Sequence, residues 1–118
     1  MTALSYAAGD TDTPLLDETI GAAFARVAAA HADREALVEV ATGRRWTWAE
    51  LDAAVDDLAR ALIAIGIRRG DRVGMWSPNS AEWTITQFAT AKAGLVLVIR
   101  PTAPPSWNTR SASPAVSL

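Results

Sequence analysis

The sequence contains no cysteine, which excludes a disulfide framework, a thiol nucleophile and thiolate metal ligands. A single histidine, His31, cannot build a multi-histidine metal site and speaks against triad chemistry. No excess of positive charge is present either: 11 Lys plus Arg stand against 13 Asp plus Glu, so the clustered basic face of a nucleic-acid reader is missing. The longest apolar runs, Ala61 to Ile67 and Ala93 to Ile99, fall far below the roughly 18 residues of a membrane span. Met1 to Asp12 carries no Lys or Arg and no apolar core, unlike a signal or transit peptide, so the expected address is cytoplasmic and the chain is expected to be soluble. What remains is 118 residues, half of them apolar and a fifth charged, with a net charge of -2. That describes one globular domain with a modest core, or a fragment, and not the two-domain body of a large enzyme.

The chain opens on Gly9, Asp10, Thr11, Asp12, Thr13 and Pro14, without apolar period, so residues 1–16 read as a flexible lead-in. Thr19 is a good N-cap, and Ile20, Phe24, Val27 and His31 recur at the spacing of one helical face. Ala36 to Val40, the Thr42-Gly43 turn and Arg45-Trp46-Thr47 predict a hairpin of two short strands. Thr47-Trp48-Ala49-Glu50 fits a capping box, which starts a second helix at Trp48. Its expected core stripe is Leu51, Val55, Leu58, Leu62 and Ile65, worth ~1.5 to 3 kcal/mol per buried large side chain before entropy, with Asp52, Asp56, Asp57 and Arg60 facing solvent. Gly66 stands where a left-handed C-cap belongs. A strand at Arg72 to Trp76 ends at Ser77-Pro78-Asn79. A third helix, capped at Asn79 or Ser80, carries Trp83, Phe88 and Ala91 and stops at Gly94. Leu95 to Ile99 then reads as a strand buried on both faces. Helices alternating with short buried strands predict an α/β fold with a partly parallel sheet.

None of the residue clusters carries chemistry on its own. The seven glycines form neither GxGxxG nor GxxxxGK[ST], and Gly66, Gly70 and Gly74 fall among turn-like Arg68, Arg69 and Asp71, a packing or turn role. His31 belongs to a helix end, where a hydrogen bond to a terminal carbonyl is common. Asp52, Asp56 and Asp57 read as a solvated helix face and not as a metal or acid/base site. Trp46, Trp48, Trp76 and Trp83 read as core and boundary packing next to caps and strand ends. No catalytic, cofactor-binding or metal-binding residue is assigned to the chain.

Four segments nevertheless arrive in a suggestive order: Arg45-Trp46-Thr47-Trp48-Ala49-Glu50-Leu51, then Gly66 to Val73, then Ser77-Pro78-Asn79-Ser80-Ala81-Glu82-Trp83, then Ala91-Lys92-Ala93-Gly94. Together they resemble the beginning of the AMP-forming acyl-CoA synthetases, the adenylate-forming superfamily, over roughly Thr19 to Val98. The resemblance implies a partial N-terminal subdomain of that fold, with residues 17–99 as the N-terminal portion of an AMP-binding domain. It also implies a two-step reaction in full-length relatives: ATP activates a carboxylic acid, often a fatty acid, as an acyl-adenylate with magnesium assisting, and CoA thiol displaces AMP. The phosphate loop, the adenine- and ribose-binding motifs and the C-terminal lysine of such enzymes lie beyond the matched region. No ATP, magnesium or CoA site is therefore expected on this chain, and Lys92, its only lysine, receives no role.

From Arg100 to Leu118 the composition changes: four of the six prolines, several serines, no acidic residue and no helical or strand period. Relatives carry an asparagine-proline step here and a segment resembling NPAYRTAELEYALRQSG. Reading the reverse-translated codons one nucleotide earlier, Pro101 to Ala115 permit AYRTAELEYALRQSG throughout, and Asn108 after the invariant tryptophan codon of Trp107 forces Glu. Residues 100–118 are therefore expected to be a non-native, frameshifted tail, with the shift near Val98 to Arg100. The chain should be inactive alone, weakly cooperative and prone to self-association through an exposed apolar last strand. One rival is a small α/β interaction module whose Pro/Ser-rich tail is a flexible docking arm. A helix-turn-helix DNA binder is disfavoured, because the helix after Thr47 is acidic on its exposed side.

Overall fold

The computed structural model describes residues 5–100 and 115–117. Its element order is α1 (Ile20–Ala30), β1 (Glu35–Glu39), β2 (Arg44–Thr47), α2 (Trp48–Ala64), β3 (Arg72–Trp76), α3 (Ala81–Ala93), β4 (Val96–Arg100) and β5 (Ala115–Ser117). Residues 1–4 of the lead-in, and 101–114 and 118 of the tail, lie outside the described residues. No helix among the described residues is long and apolar enough to cross a membrane.

The caps follow the sequence closely. Thr19 Oγ1 accepts from the Ala22 N–H at 3.1 Å and opens α1. Thr47 closes the expected capping box: its hydroxyl accepts from the Glu50 N–H at 3.2 Å, and Glu50 Oε2 accepts from the Thr47 N–H at 2.9 Å. At the other ends, α2 and α3 terminate alike. Gly66 (φ 98°) and Gly94 (φ 72°) take left-handed conformations that a Cβ would strain. Each helix then closes a Schellman pair, Ile67 N–H to Leu62 O with Gly66 N–H to Ile63 O, and Leu95 N–H to Thr90 O with Gly94 N–H to Ala91 O. The residues thrown inward by the two turns, Ile67 and Leu95, meet Leu62 and Val73 in one core cluster. Two glycine stops thus build the join between the helices and the sheet.

β1 and β2 form an antiparallel hairpin turned by Gly43 (φ 75°), with a register shift between Glu35 and Leu37. β3 and β4 pair in parallel, Arg72 opposite Val96 through Trp76 opposite Arg100, with α3 as the crossover helix. The second sheet has the order β4-β3-β5, because Ala115–Ser117 pairs in parallel with β3. The expectation of a tail without strand structure thus fails at 115–117.

The main core gathers Phe24 of α1, Leu51, Val55 and Ala59 of α2 and Ala89 of α3. Phe24 stacks on Phe88 with centroids 4.4 Å apart and meets Trp48 edge-on at 5.8 Å. Several expected core positions are displaced. Ile20 is exposed, and α1 buries Phe24 and Ala28 instead. In α2, Ile65 is exposed, Leu58 is only half-buried and Ala59 is buried, because the helix ends at Ala64 and places its small residue against α3. In α3 the buried positions are Ala81, Thr86, Ala89 and Thr90, whereas Trp83, Phe88 and Ala91 are half-buried. The threonines are tolerated inside because their hydroxyls donate to helix carbonyls, Thr86 to Glu82 O at 2.7 Å and Thr90 to Thr86 O at 2.9 Å. β4 departs most: Val96, Val98 and Ile99 are exposed where burial on both faces was expected.

Candidate functional site

The most highly organised polar site lies where the three helices meet. Asp52 and Asp56 stand one turn apart on α2 and face α3 across the interhelical seam. Lys92, in the last turn of α3, donates from Nζ to Asp52 Oδ1 at 2.5 Å and to Asp56 Oδ1 at 2.7 Å. Its side chain is 16% exposed, those of the two aspartates 33% and 38%. The ammonium also lies 5.3 Å from the centroid of Phe24. Burial opposes the charge of Lys92, yet the hydrogen bonds and charges of Asp52 and Asp56 outweigh it and raise the pKa above the ordinary lysine value. Close approach of α1 completes the arrangement: a Cβ at Gly21 would come within 3.2 Å of Lys92 Cα.

This corrects two readings of the sequence. Asp52 and Asp56 are not a solvated face, and Lys92 has a role, as the countercharge that binds α2 to α3. Asp57 alone behaves as expected, exposed and within 3.5 Å of Arg60 Nη1. The pairing was concealed because Lys92 lies 36 and 40 positions from the two aspartates. An available signal was the lone lysine on an otherwise uncharged stretch of α3 opposite a helix with aspartates at i and i+4.

A second network ties the hairpin to the start of α3. Ser80 is the N-cap, but its side chain makes no cap bond; the Ala81 N–H donates instead to Glu39 Oε1 at 2.9 Å, a cap supplied from β1. Glu39 also accepts from Arg44 Nε and Nη2, at 2.9 and 3.0 Å, and from the Thr42 hydroxyl. Arg44, then Thr42 and the Ala81 amide, hold the Glu39 carboxyl down at about 2. Arg44 reaches on to Glu82 Oε1 at 2.8 Å and lies 5.1 Å from the Trp46 ring centroid. Hydrogen bonding to Arg44, first among its causes, also lowers Glu82.

The remaining candidates are structural. His31 is the exposed C-cap of α1, where its backbone N–H donates to Val27 O at 3.0 Å and its carbonyl accepts from Arg34 N–H at 2.8 Å. Gly70 (φ 88°) turns the chain toward β3, donating to Gly94 O at 2.9 Å. Trp46 and Trp48 pack on the core, whereas Trp76 is exposed. An open groove of about 420 Å³ runs between α1 and α2, floored by alanines that include Ala25, Ala28 and Ala53 and rimmed by Asp52, Asp56, Asp57 and Arg60. Among the described residues no group of three or more His, Cys, Asp or Glu could hold a metal ion. The facing carboxylates Asp52 and Asp56 already have Lys92 between them, so they do not suit a magnesium ion.

These side chains tie the helices and the hairpin together, and kinship decides what they belong to. The profile of the AMP-binding enzyme family matches residues 24–110. The chain belongs to that family. Against the mouse medium-chain acyl-CoA ligase ACSF2, mitochondrial, it is 46% identical over 95 residues, 80% of this chain and 15% of the relative. The putative acyl-CoA synthetase YngI of Bacillus subtilis is 42% identical over 84 residues, 71% of this chain and again 15% of the relative. Among solved structures, the N-terminal domain of FACL13 from Mycobacterium tuberculosis superposes with a TM-score of 0.69 at 35% identity, over 72% of this chain and 22% of that one. A Mycobacterium tuberculosis fatty acyl CoA synthetase gives 0.66 at 35% identity, over 80% of this chain and 17% of that one. The chain thus has the mixed α/β architecture of the N-terminal part of acyl-CoA synthetases, and spans about a seventh of the length of the curated relatives it matches.

Proposed function

We propose that the chain is an N-terminal portion of an ATP-dependent acid–thiol ligase acting on an aliphatic carboxylic acid. The observation that carries this reading is 46% identity to an acyl-CoA ligase over 95 residues, 80% of this chain, together with a family match over residues 24–110. In the whole enzyme the carboxylate would attack the α-phosphorus of ATP, forming the acyl-adenylate and releasing pyrophosphate; the CoA thiolate would then attack the acyl carbon and expel AMP. Catalysis of this kind depends on positioned donors and cations around the phosphates. Lys92 and Arg44 contribute scaffold to it, the first engaged by Asp52 and Asp56, the second by Glu39 and Glu82, and the phosphate loop and C-terminal lysine implied by the resemblance lie outside the matched region. The 118-residue chain alone should therefore form no adenylate.

A covalent chimera tests the reading. Residues 20–98 replace the equivalent segment of the Mycobacterium tuberculosis fatty acyl CoA synthetase, and acyl-adenylate is trapped with hydroxylamine across a series of fatty acids. Hydroxamate formation supports the assignment; a folded chimera that releases no pyrophosphate with any acid removes it.

We further infer that residues 100–118 are translated from a shifted frame. Support comes from the abrupt composition change and from the codon compatibility of Pro101 to Ala115, with a forced Glu at Asn108. Because the family match runs on to 110, past the inferred shift, the DNA is the decisive evidence. Resequencing codons 95 to 118 and translating the overlapping frame should reach a glycine-rich phosphate loop. Early stop codons in that frame would favour the interaction-module reading, whose own test is a partner lost on deleting residues 100–118.

A further inference from the structure

The β1–β2 hairpin is fastened differently at its two ends. At its base, Ala36, Leu37 and Trp46 pack on the main core, and the Trp48 and Ala49 N–H groups donate to Arg34 O and Ala32 O at 2.9 and 3.0 Å. At its tip, from Glu39 to Arg44, the apolar anchors end, and Val40 is 89% exposed. Among the described residues, the hydrogen bonds that cross from the tip to α3 are the Ala81 N–H on Glu39 Oε1 at 2.9 Å and the Arg44 fork, whose Nη1 and Nη2 donate to Glu82 Oε1 and Oε2 at 2.8 and 3.1 Å. The bonds of Glu39 to Arg44 and to the Thr42 hydroxyl, and that of the Gly43 N–H to Glu39 O, lie within the tip and would travel with it.

The start of α3 also holds a cap that it does not use. Ser80 has the extended backbone of an N-cap (φ -150°, ψ 167°), as Thr19 and Thr47 do, and serine is among the residues best suited to that place. Yet its hydroxyl makes no cap bond. It lies 3.5 Å from Ser77 Oγ and is the last of the causes that lower Glu82, while the Trp83 N–H reaches back to the Ser80 carbonyl at 3.2 Å. An N-cap oxygen accepts from the amide two or three residues on, here Glu82 or Trp83, so with the backbone already in place only the Ser80 side chain has to turn. One cap, Glu39, is in use, and a second is in reserve.

We propose that the hairpin tip, Glu39 to Arg44, is a releasable clasp on the start of α3, and that when it lifts, Ser80 turns to cap the helix in place of Glu39. The tip then moves about its packed base while α3 keeps its first turn, so motion of the hairpin is uncoupled from unfolding of the helix. The charges suit release. Arg44 and Glu39 leave as a pair, and the group left behind, Glu82, has a side chain that is 57% exposed and therefore solvated. An exposed ion pair such as Arg44 with Glu82 holds weakly, and the two alternative caps supply the second arrangement that a switching element needs. The inference concerns the chain's own fold and stands whether or not the ligase reading does.

Amide exchange and backbone NMR relaxation on the 118-residue chain test this with Glu39→Ala, Ser80→Ala and the double variant. In Glu39→Ala the Ala81 amide loses its acceptor and should exchange faster, and the backbone of residues 40–43 should show lower order parameters. Ile85 and Thr86, whose amides bond the first turn of α3, should stay within about twofold of the parent in either single variant, because one cap always remains. In the double variant both caps are gone, and the same two amides should accelerate about fivefold. A fivefold acceleration there in Glu39→Ala alone would overturn the proposal by showing that Ser80 does not take over. The same result in Ser80→Ala alone would overturn it by showing that Ser80 caps already, and an unmoved tip in Glu39→Ala would remove the clasp. Should circular dichroism show that Glu39→Ala does not fold, Arg44→Gln with and without Ser80→Ala replaces it, since it cuts the fork to Glu82 and loosens Glu39. Faster exchange at Ile85 and Thr86 only when Ser80 is also replaced supports the clasp, and equal rates refute it.

Discussion

Replacing Lys92 by Met isolates the charge of the three-helix clamp, because methionine keeps an unbranched apolar stem beside Gly21 and Phe24 and removes only the ammonium. The consequence is two half-buried carboxylates, Asp52 and Asp56, one helical turn apart without a countercharge. Breaking a fully buried pair costs about 3 to 5 kcal/mol, and breaking an exposed one about 0 to 1 kcal/mol. Side-chain exposures of 16%, 33% and 38% put this clamp between those limits, so a loss of about 1 to 3 kcal/mol is expected after allowance for solvent screening. Amide exchange is the appropriate assay, since it reports the opening of α2 and α3 even if the whole chain does not melt in one step. Exchange at Val55, Ala59, Ala89 and Thr90 should accelerate roughly five- to 150-fold, at about 1.4 kcal/mol per factor of ten. The same substitution in an Asp52→Asn, Asp56→Asn background should cost little, because no orphaned charge remains. Equal acceleration in both backgrounds would show that Lys92 acts through packing alone, and no acceleration in either would show that the clamp is solvated and inconsequential. The pH dependence has a defined sign: a lysine pKa raised in the folded state contributes stability below the unfolded value, and that contribution disappears as pH rises through the folded pKa.

The hairpin network should respond at the opposite end of the scale. Glu39 is lowered from 4.5 to about 2, so its contribution is complete above pH 4.5 and is lost as pH falls toward 2. Amide protection at the start of α3 should fall over that window in the parent, and Glu39→Gln should remove that acid-dependent part. Thr47→Ala should destabilise the first turn of α2 by about 1 kcal/mol, read as faster exchange at Glu50, which loses its acceptor; unchanged exchange would contradict the capping box. Gly94→Ala forces a Cβ into a left-handed residue (φ 72°) within 3.1 Å of Arg69 Cγ, and should cost about 1 to 2 kcal/mol, visible as lost protection at Leu95. Gly9→Ala, in open space with no such backbone requirement, is the control and should change nothing.

What could be read directly from the sequence was set by local rules. Thr19, Thr47, Gly66 and Gly94 mark helix ends because a hydroxyl one turn before an amide, or a glycine after the last turn, satisfies backbone groups over a few residues. Family membership was legible for a similar reason, since the motifs around Trp46, Gly70, Pro78 and Gly94 are short and contiguous. Long-range pairing was not. Nothing in a helix period announces that Asp52 and Asp56 face a lysine 36 to 40 residues away, or that Glu39 on a strand caps α3 at Ala81 in place of Ser80. Side-chain volume was also misjudged by hydropathy alone: where α2 approaches α3, Ala59 and Ala89 are buried and Ile65 is not, because close helices favour small residues at the contact.

The exposed last strand is the most informative disagreement. Val96, Val98 and Ile99 have the composition of a strand covered on both sides, and the sequence pattern carries that environment whether or not the covering layer is at hand. Among the described residues only Leu95, just before β4, is buried in that run, with Leu97 half-buried. If Val98→Asp leaves the melting of the chimera unchanged, β4 owes its composition to something other than packing against the rest of that enzyme.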